Sequence, residues 1–367
     1  MQEFISEIVR LSIKSSPYIV VAFVISVVCV PFAKRIGFKL KIYAQENQRT
    51  VHEGKIVRMG GLAIFLSFMI SMAIFTKADS TTNAILIGGI VVFLGGLLDD
   101  IYDLKPIIKL LFQVAGALIA IVLGQVYLTE LVLPFGIIIN NTIFSYIITF
   151  LWIVGITNAI NLIDGLDGLS GGISLIVTII IGILGYLMGR SDVAILALTL
   201  SGAILGFLPY NFHPASIFMG DCGALFLGYM ISTISLLGFK TTTVITLGFP
   251  ILVLFIPISD TIVAILRRKL KGKKVSEADR EHLHHILMYK LNFGHRNTVI
   301  ILYLVTALFG FSAIISYFDK SSGMLLMIIL FILAELFIET TEMVNPKFKP
   351  IISTLTKLKE KLTRKED

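Results

Sequence analysis

The chain has 367 residues, of which 56% are hydrophobic and only 15% charged, with a mean hydropathy of +0.90. No soluble domain can hide that much apolar surface, so soluble enzymes and binding modules are excluded and an all-α polytopic membrane protein is indicated. The formal charge of +7 argues through its distribution, given below.

A spanning helix needs about 20 mostly apolar residues. In chain order such runs are Pro17–Ala33, Met59–Phe75, Asn83–Leu98, Pro106–Leu123, Thr142–Ile160, Ser170–Met188, Val193–Leu208, Ala224–Phe239, Thr243–Leu266, Thr298–Tyr317 and Gly323–Met343, about eleven in all. Between the fourth and fifth, Val126–Asn141 alternates poorly for a helix and carries turn residues, which predicts a short external hairpin. Ser276 followed by Asp279 resembles a helix-start cap, so a short helix is expected to carry the histidines after it. Residues 347–367 place Ile351, Ile352, Leu355, Leu358 and Leu362 among lysines, the pattern of a basic amphipathic tail on the membrane surface. Residues 1–346 read as one integral bundle without a convincing internal repeat.

Lys and Arg give the orientation, since retained cytoplasmic loops are rich in them. They crowd the first connection, the ninth and the tail, while the opposite side holds only Lys77, Arg190, Lys240 and Lys320 between spans. The N-terminus is therefore expected outside and the C-terminus in the cytoplasm, with cytoplasmic loops at 34–58, 99–106, 161–170, 208–223 and 267–296. No cleavable signal is evident. Two cysteines, Cys29 and Cys222, suggest neither a disulfide framework nor a thiolate metal site. Basic residues on that face suit anionic lipid and an anionic substrate; nucleic acid is not expected, for want of a soluble domain to hold it.

Every acidic motif falls on that same face. Asp99, Asp100 and Asp103 end the third span, where negative charge opposes the helix dipole and makes a poor structural cap. Asn158, Asn161, Asp164 and Asp167 follow at three-residue spacing with glycines between them, presenting amides and carboxylates to one point. A polar turn rarely needs so many, and oxygen ligation of a hard cation such as magnesium is favoured, with manganese able to substitute. Phe218, Asn211 and Asp221 add a carboxylate beside a flat ring that suits either core or a base. His282, His284 and His285 with Arg280 lack the spacing of a closed zinc site and suit phosphate instead.

Asp-Asp-x-x-Asp103, Asn158-Ala-x-Asn-Leu-x-Asp-Gly-x-Asp-Gly168, Asn211-Phe-His-Pro-Ala-x-Ile-Phe-Met-Gly-Asp-x-Gly223 and Asp279-Arg-x-His-x-His-His285 together resemble the polyprenyl-phosphate sugar-1-phosphate transferase family over nearly the whole chain. The resemblance implies a bacterial cytoplasmic membrane enzyme, active on its cytoplasmic face and magnesium-dependent. Undecaprenyl phosphate would attack the β-phosphorus of a UDP-sugar, giving a lipid-linked pyrophosphoryl sugar and UMP, the step that starts O-antigen, common antigen or teichoic acid. Arg280 within the histidine motif is similar to the branch that transfers N-acetylhexosamine 1-phosphate, which implies UDP-GlcNAc, and the bundle is compatible with a homodimer.

Charge and the resemblance together give the expected roles. Asp221 and Asn161 hold the metal; Asp99 or Asp100, with Asp103, deprotonate or orient the lipid phosphate, which Lys105 and Lys109 pair. Arg280, His282, His284 and His285 grip pyrophosphate and sugar. Phe218, Asn211, Asp164 and Asp167 form the uridine pocket, with Lys55 and His52 as weaker candidates. Direct attack is simpler than a covalent aspartyl intermediate, since a phosphate monoester, with its second pKa at about 6, needs little activation. A cation-coupled transporter would carry its carboxylates near mid-span, and a CDP-alcohol transferase would pack its aspartates into one motif; a lipid phosphatase would also use an aspartate cluster, and an assay for UMP separates it.

Overall fold

The computed structural model describes residues 2–44, 55–75, 79–129, 131–132, 138–139, 141–239, 248–273, 282–344, 349–354 and 356. Helices α1 (Gln2–Leu40), α2 (Gly60–Phe75), α3 (Ser80–Tyr102) and α4 (Pro106–Leu118, extended by a π-helical turn to Leu123) are followed by a minimal antiparallel hairpin, β1 (Leu131–Val132) and β2 (Ile138–Ile139). Then come α5 (Thr142–Leu162), α6 (Leu169–Leu187), α7 (Ser191–Asn211), α8 (Gly220–Phe239), α9 (Gly248–Val253), α10 (Phe255–Leu270), α11 (Leu283–His285, extended by a π-helical turn to Lys290), α12 (Gly294–Phe318) and α13 (Lys320–Thr341). Among the described residues nine helices are long and apolar enough to cross a membrane. The protein is thus an all-α multi-pass membrane protein, and the described part of every expected span falls largely on a helix or a pair of helices.

Helix ends differ from the apolar runs. The loop expected from residue 34 begins only after Leu40, because Lys34, Arg35 and Lys39 are good helix formers and carry α1 past its apolar stretch. For the same reason α10 runs through Arg267, Arg268 and Lys269 to Leu270. The ninth run breaks at Leu254, since Pro257 has no N–H for the Val253 carbonyl and its ring crowds that group. The hairpin is found within Val126–Asn141. Residues 276–281, where the cap before the histidines was expected, and most of the tail lie outside the described residues.

The core is α8, which packs against α2, α3, α5, α6 and α7. Phe65, Phe93 and Phe226 pin α2 and α3 to it, with Phe65 and Phe93 stacked at 3.9 Å. Close approach does the rest, as lipid provides no hydrophobic drive between helices. A Cβ on Gly96 would stand 2.5 Å from the Asp221 carbonyl oxygen, so only glycine lets the last turns of α3 lie on the first turn of α8. One turn further along α3 are Asp99 and Asp100.

Candidate active site

Asp100 caps α8. Its Oδ1 accepts from the Asp221 N–H and its Oδ2 from the Cys222 N–H, both at 2.9 Å, where the helix dipole favours negative charge. Gly220 makes this possible: φ is +75° and a Cβ would lie 2.6 Å from Asp100 Oδ2. Arg58 adds an ion pair to Asp100 at 3.2 Å and approaches Asp221 at 3.6 Å. It is delivered by backbone pairing of its own segment with that of Phe218, through Phe218 N–H to the Val57 carbonyl and Gly60 N–H to the Phe218 carbonyl, both at 2.8 Å. Burial pulls the Arg58 pKa down, but Asp100, Asp221 and Asp99 outweigh it and hold the guanidinium charged.

Asp99 points elsewhere. Its Oδ1 accepts from the Leu104 N–H at 2.9 Å, and Lys109 on α4 bridges its Oδ2 at 3.0 Å to Asp221 Oδ2 at 2.7 Å. Lys109 was expected on the lipid phosphate; here it joins two carboxylates, so the acidic face carries its own counter-ions. One turn along α4, the buried Gln113 exchanges amide hydrogen bonds with Asn158 of α5 and fixes the helix that presents Lys109.

The turn between α5 and α6 closes the site. Half-buried Asp164 has its pKa pushed up to about 7, by burial first and then by Asp221, Asp100 and Asp167, with Arg58 opposing. Asn161 lies half-buried in the last turn of α5. Asp167 Oδ2 accepts from the Ala215 N–H at 3.1 Å and pairs with His213 Nδ1 at 2.9 Å. Asn211 accepts from the Gly168 N–H at 3.1 Å and donates to the Ile217 carbonyl at 2.9 Å, bracing the loop that ends in Phe218. The amides and carboxylates expected to meet a base directly are thus, at Asp167 and Asn211, engaged in holding the loop.

The histidine segment reaches the same turn. A Cβ on Gly165 would lie 2.6 Å from His284 Nε2. His282 Nδ1 faces Asp260 Oδ2 of α10 at 2.8 Å, whose other oxygen accepts from the Leu283 N–H at 2.7 Å. Burial, then the neighbouring His285, lowers the His284 pKa to about 3, so its ring is neutral. His285 is half-buried, its ring centroid 4.3 Å from that of His284. Asp103, in the left-handed conformation that ends α3, and Lys105 and Lys55 are exposed, and among the described contacts none reaches the carboxylates; Lys55 lies 5.5 Å from the Tyr43 ring. Arg280 and His52 lie outside the described residues.

Residues 82–239 match the family described as glycosyl transferase family 4. The chain is 40% identical over 348 residues to the probable undecaprenyl-phosphate N-acetylglucosaminyl 1-phosphate transferase of Bacillus subtilis (strain 168), covering 90% of this chain and 94% of that protein. The chain belongs to the polyprenyl-phosphate sugar-1-phosphate transferase family. Other members are similar over most of their length: the decaprenyl-phosphate N-acetylglucosaminephosphotransferase of Mycobacterium leprae (strain TN) at 31% over 75% of this chain and 77% of its own, and the phospho-N-acetylmuramoyl-pentapeptide-transferase of Staphylococcus aureus (strain MSSA476) at 32% over 74% and 88%. This transferase family is therefore the setting for the carboxylates, although sequence reasoning missed Arg58 and Asp260 as parts of the site. Asp260 had a signal, being the lone ionisable residue of an apolar run.

Proposed function

We propose that the protein transfers N-acetylglucosamine 1-phosphate from UDP-GlcNAc to undecaprenyl phosphate at the cytoplasmic face of a bacterial cytoplasmic membrane. The observation that carries this is the cluster of Asp99, Asp100 and Asp221 bridged by Lys109 and Arg58 at helix ends, together with the similarity to the Bacillus subtilis transferase. A lipid-phosphate oxygen bonds to the β-phosphorus, the bond from that phosphorus to the bridging oxygen breaks, and UMP leaves with that oxygen.

The donor set fits a hard divalent cation: oxygen ligands only, in a cluster where Asp99, Asp100 and Asp221 face Arg58 and Lys109. Asp221 and Asn161 would hold magnesium, which when bound neutralises the pyrophosphate. Asp99, oriented by the Leu104 N–H and Lys109, accepts any proton left on the lipid phosphate. Lys109 and Arg58 are placed to exchange carboxylate partners for phosphate oxygens. His282, its Nδ1 proton held by Asp260, and the neutral His284 present fixed dipoles to the sugar phosphate. Phe218, half-buried at the end of the loop that Asn211 and Asp167 brace, would stack on uracil.

Purified protein given undecaprenyl phosphate and UDP-GlcNAc should release UMP with magnesium and fall silent in excess EDTA. Release from UDP-MurNAc-pentapeptide alone would move the protein to the substrate named for the Staphylococcus aureus relative; full activity in EDTA would refute the metal. A cysteine replacing exposed Lys105, in a chain lacking Cys29 and Cys222, should label with impermeant thiol reagents only after cells are opened.

A further inference from the structure

Asp167, His213 and His295 come from three segments: the α5–α6 turn, the α7–α8 loop and the first turn of α12. Each offers one ligand atom, and these atoms lie within 4.8 Å of one another. His213 and His295 stack at 4.2 Å between centroids, and His295 Nε2 accepts from the Asp167 N–H at 3.2 Å. The nitrogen that accepts this N–H carries a lone pair rather than a proton. Neither histidine has a part in the transfer chemistry derived above.

We propose that these three residues form a second metal site, for a borderline divalent transition metal of the zinc type rather than for magnesium. Two imidazoles and a carboxylate are the donor set that such ions prefer. Ligand atoms around zinc at bond lengths of about 2.0–2.2 Å stand roughly 3.3–3.6 Å apart, so the group closes by about 1 Å, within the reach of side-chain rotation. The surroundings are built for it. The Ala215 N–H orients the Asp167 carboxylate, Asn211 ties the loop of His213 to Gly168, and the Tyr303 hydroxyl of α12 donates to the Gly168 carbonyl. Outer hydrogen bonds of this kind hold metal ligands in place. The Asp167 side chain is 2% exposed and that of His213 33%, which supplies a buried anchor and a path of entry. An ion there would clamp α12 onto the turn and loop that flank Asp164 and Phe218.

The test uses the full chain with a tag free of histidine, stripped by chelator and titrated with Zn2+ or Co2+ alone. One zinc equivalent is expected to bind with a dissociation constant below about 1 µM, a range the same ligand types reach in proteins, and to raise the unfolding temperature. Cobalt should give the visible absorption of an imidazole-ligated ion. His213→Gln and His295→Gln should each weaken zinc at least tenfold and lose that absorption, while His285→Gln, in the other histidine cluster, leaves both unchanged. Absence of binding to the intact chain, binding retained in both His213→Gln and His295→Gln, or loss in His285→Gln would each overturn the site. None of these readouts depends on the transfer activity, so the proposed reaction and this site stand or fall separately.

Discussion

At the N-terminus of α8, Asp99, Asp100 and Asp221 are matched by Arg58, Lys109 and two helix N–H groups; across the Asp164–Gly165 turn, the segment from His282 to His285 is built on imidazoles and one carboxylate, Asp260. Both regions bury polar groups where apolar helices meet. The first keeps full charges and offsets them with other charges, which a cation or a phosphate can replace. The second sets imidazoles around a single buried carboxylate: burial holds His284 neutral, and Asp260 fixes the orientation of His282. The comparison teaches that one wall of the site exchanges ions while the other supplies fixed dipoles.

The largest expected effect breaks the exchanging wall. Asp221→Asn removes the charge that Lys109 and Arg58 share and a proposed metal ligand together, and should lower UMP release by about 10³-fold, the upper range for losing one preorganised electrostatic group. The magnesium requirement should rise with it. Activity within tenfold of the parent would show that the charge of Asp221 is not used.

Asp99→Asn and Asp100→Asn sharpen the comparison within that wall. Asp99 faces Lys109 and the α3–α4 turn, so its amide variant should fold normally and lose about 10²-fold in turnover, with little change in UDP-GlcNAc affinity. Asp100 accepts two helix N–H groups and an arginine, and its amide variant should lose about 2–3 kcal/mol of stability, read as a lower unfolding temperature in detergent. Gly220→Ala should resemble it, because a Cβ at φ +75° meets the Asp100 carboxylate. Equal stability in the two aspartate variants would erase the distinction.

Carboxylates at the ends of apolar runs are conspicuous, so Asp99, Asp100, Asp164 and Asp221 were legible, as were the spans themselves. Their counter-ions were not. Arg58 counts towards topology like any loop arginine, and only the backbone pairing of its segment with Phe218 reveals it at Asp100. Asp103 shares the motif of Asp99, yet the left-handed residue that ends α3 leaves its side chain exposed. His213 and His295 stand 82 positions apart in the numbering with no periodicity to join them, and meet only because α12 returns to the α5–α6 turn. Burial follows the same logic: an 18-residue stretch of α8 is 94% buried and one of α13 only 6%, although both read as apolar spans, because hydropathy does not separate helix-facing from lipid-facing surface.

The smallest effect tests the wall of histidines. His284 has a folded pKa of about 3 against about 6.5 for a free imidazole. Below pH 6.5 the unfolded chain therefore binds a proton that the folded chain refuses, so the contribution of this residue to stability is fully present above that pH and is lost as pH falls, by at most about 1.4 kcal/mol per pH unit. In His284→Gln that loss disappears. Between pH 7.5 and 5.5 the unfolding temperature of the parent should drop more than that of the variant, after other titrating groups common to both cancel. Parallel profiles would mean that His284 takes up its proton in the folded protein, and the fixed-dipole wall would then have to be redrawn as a second charged one.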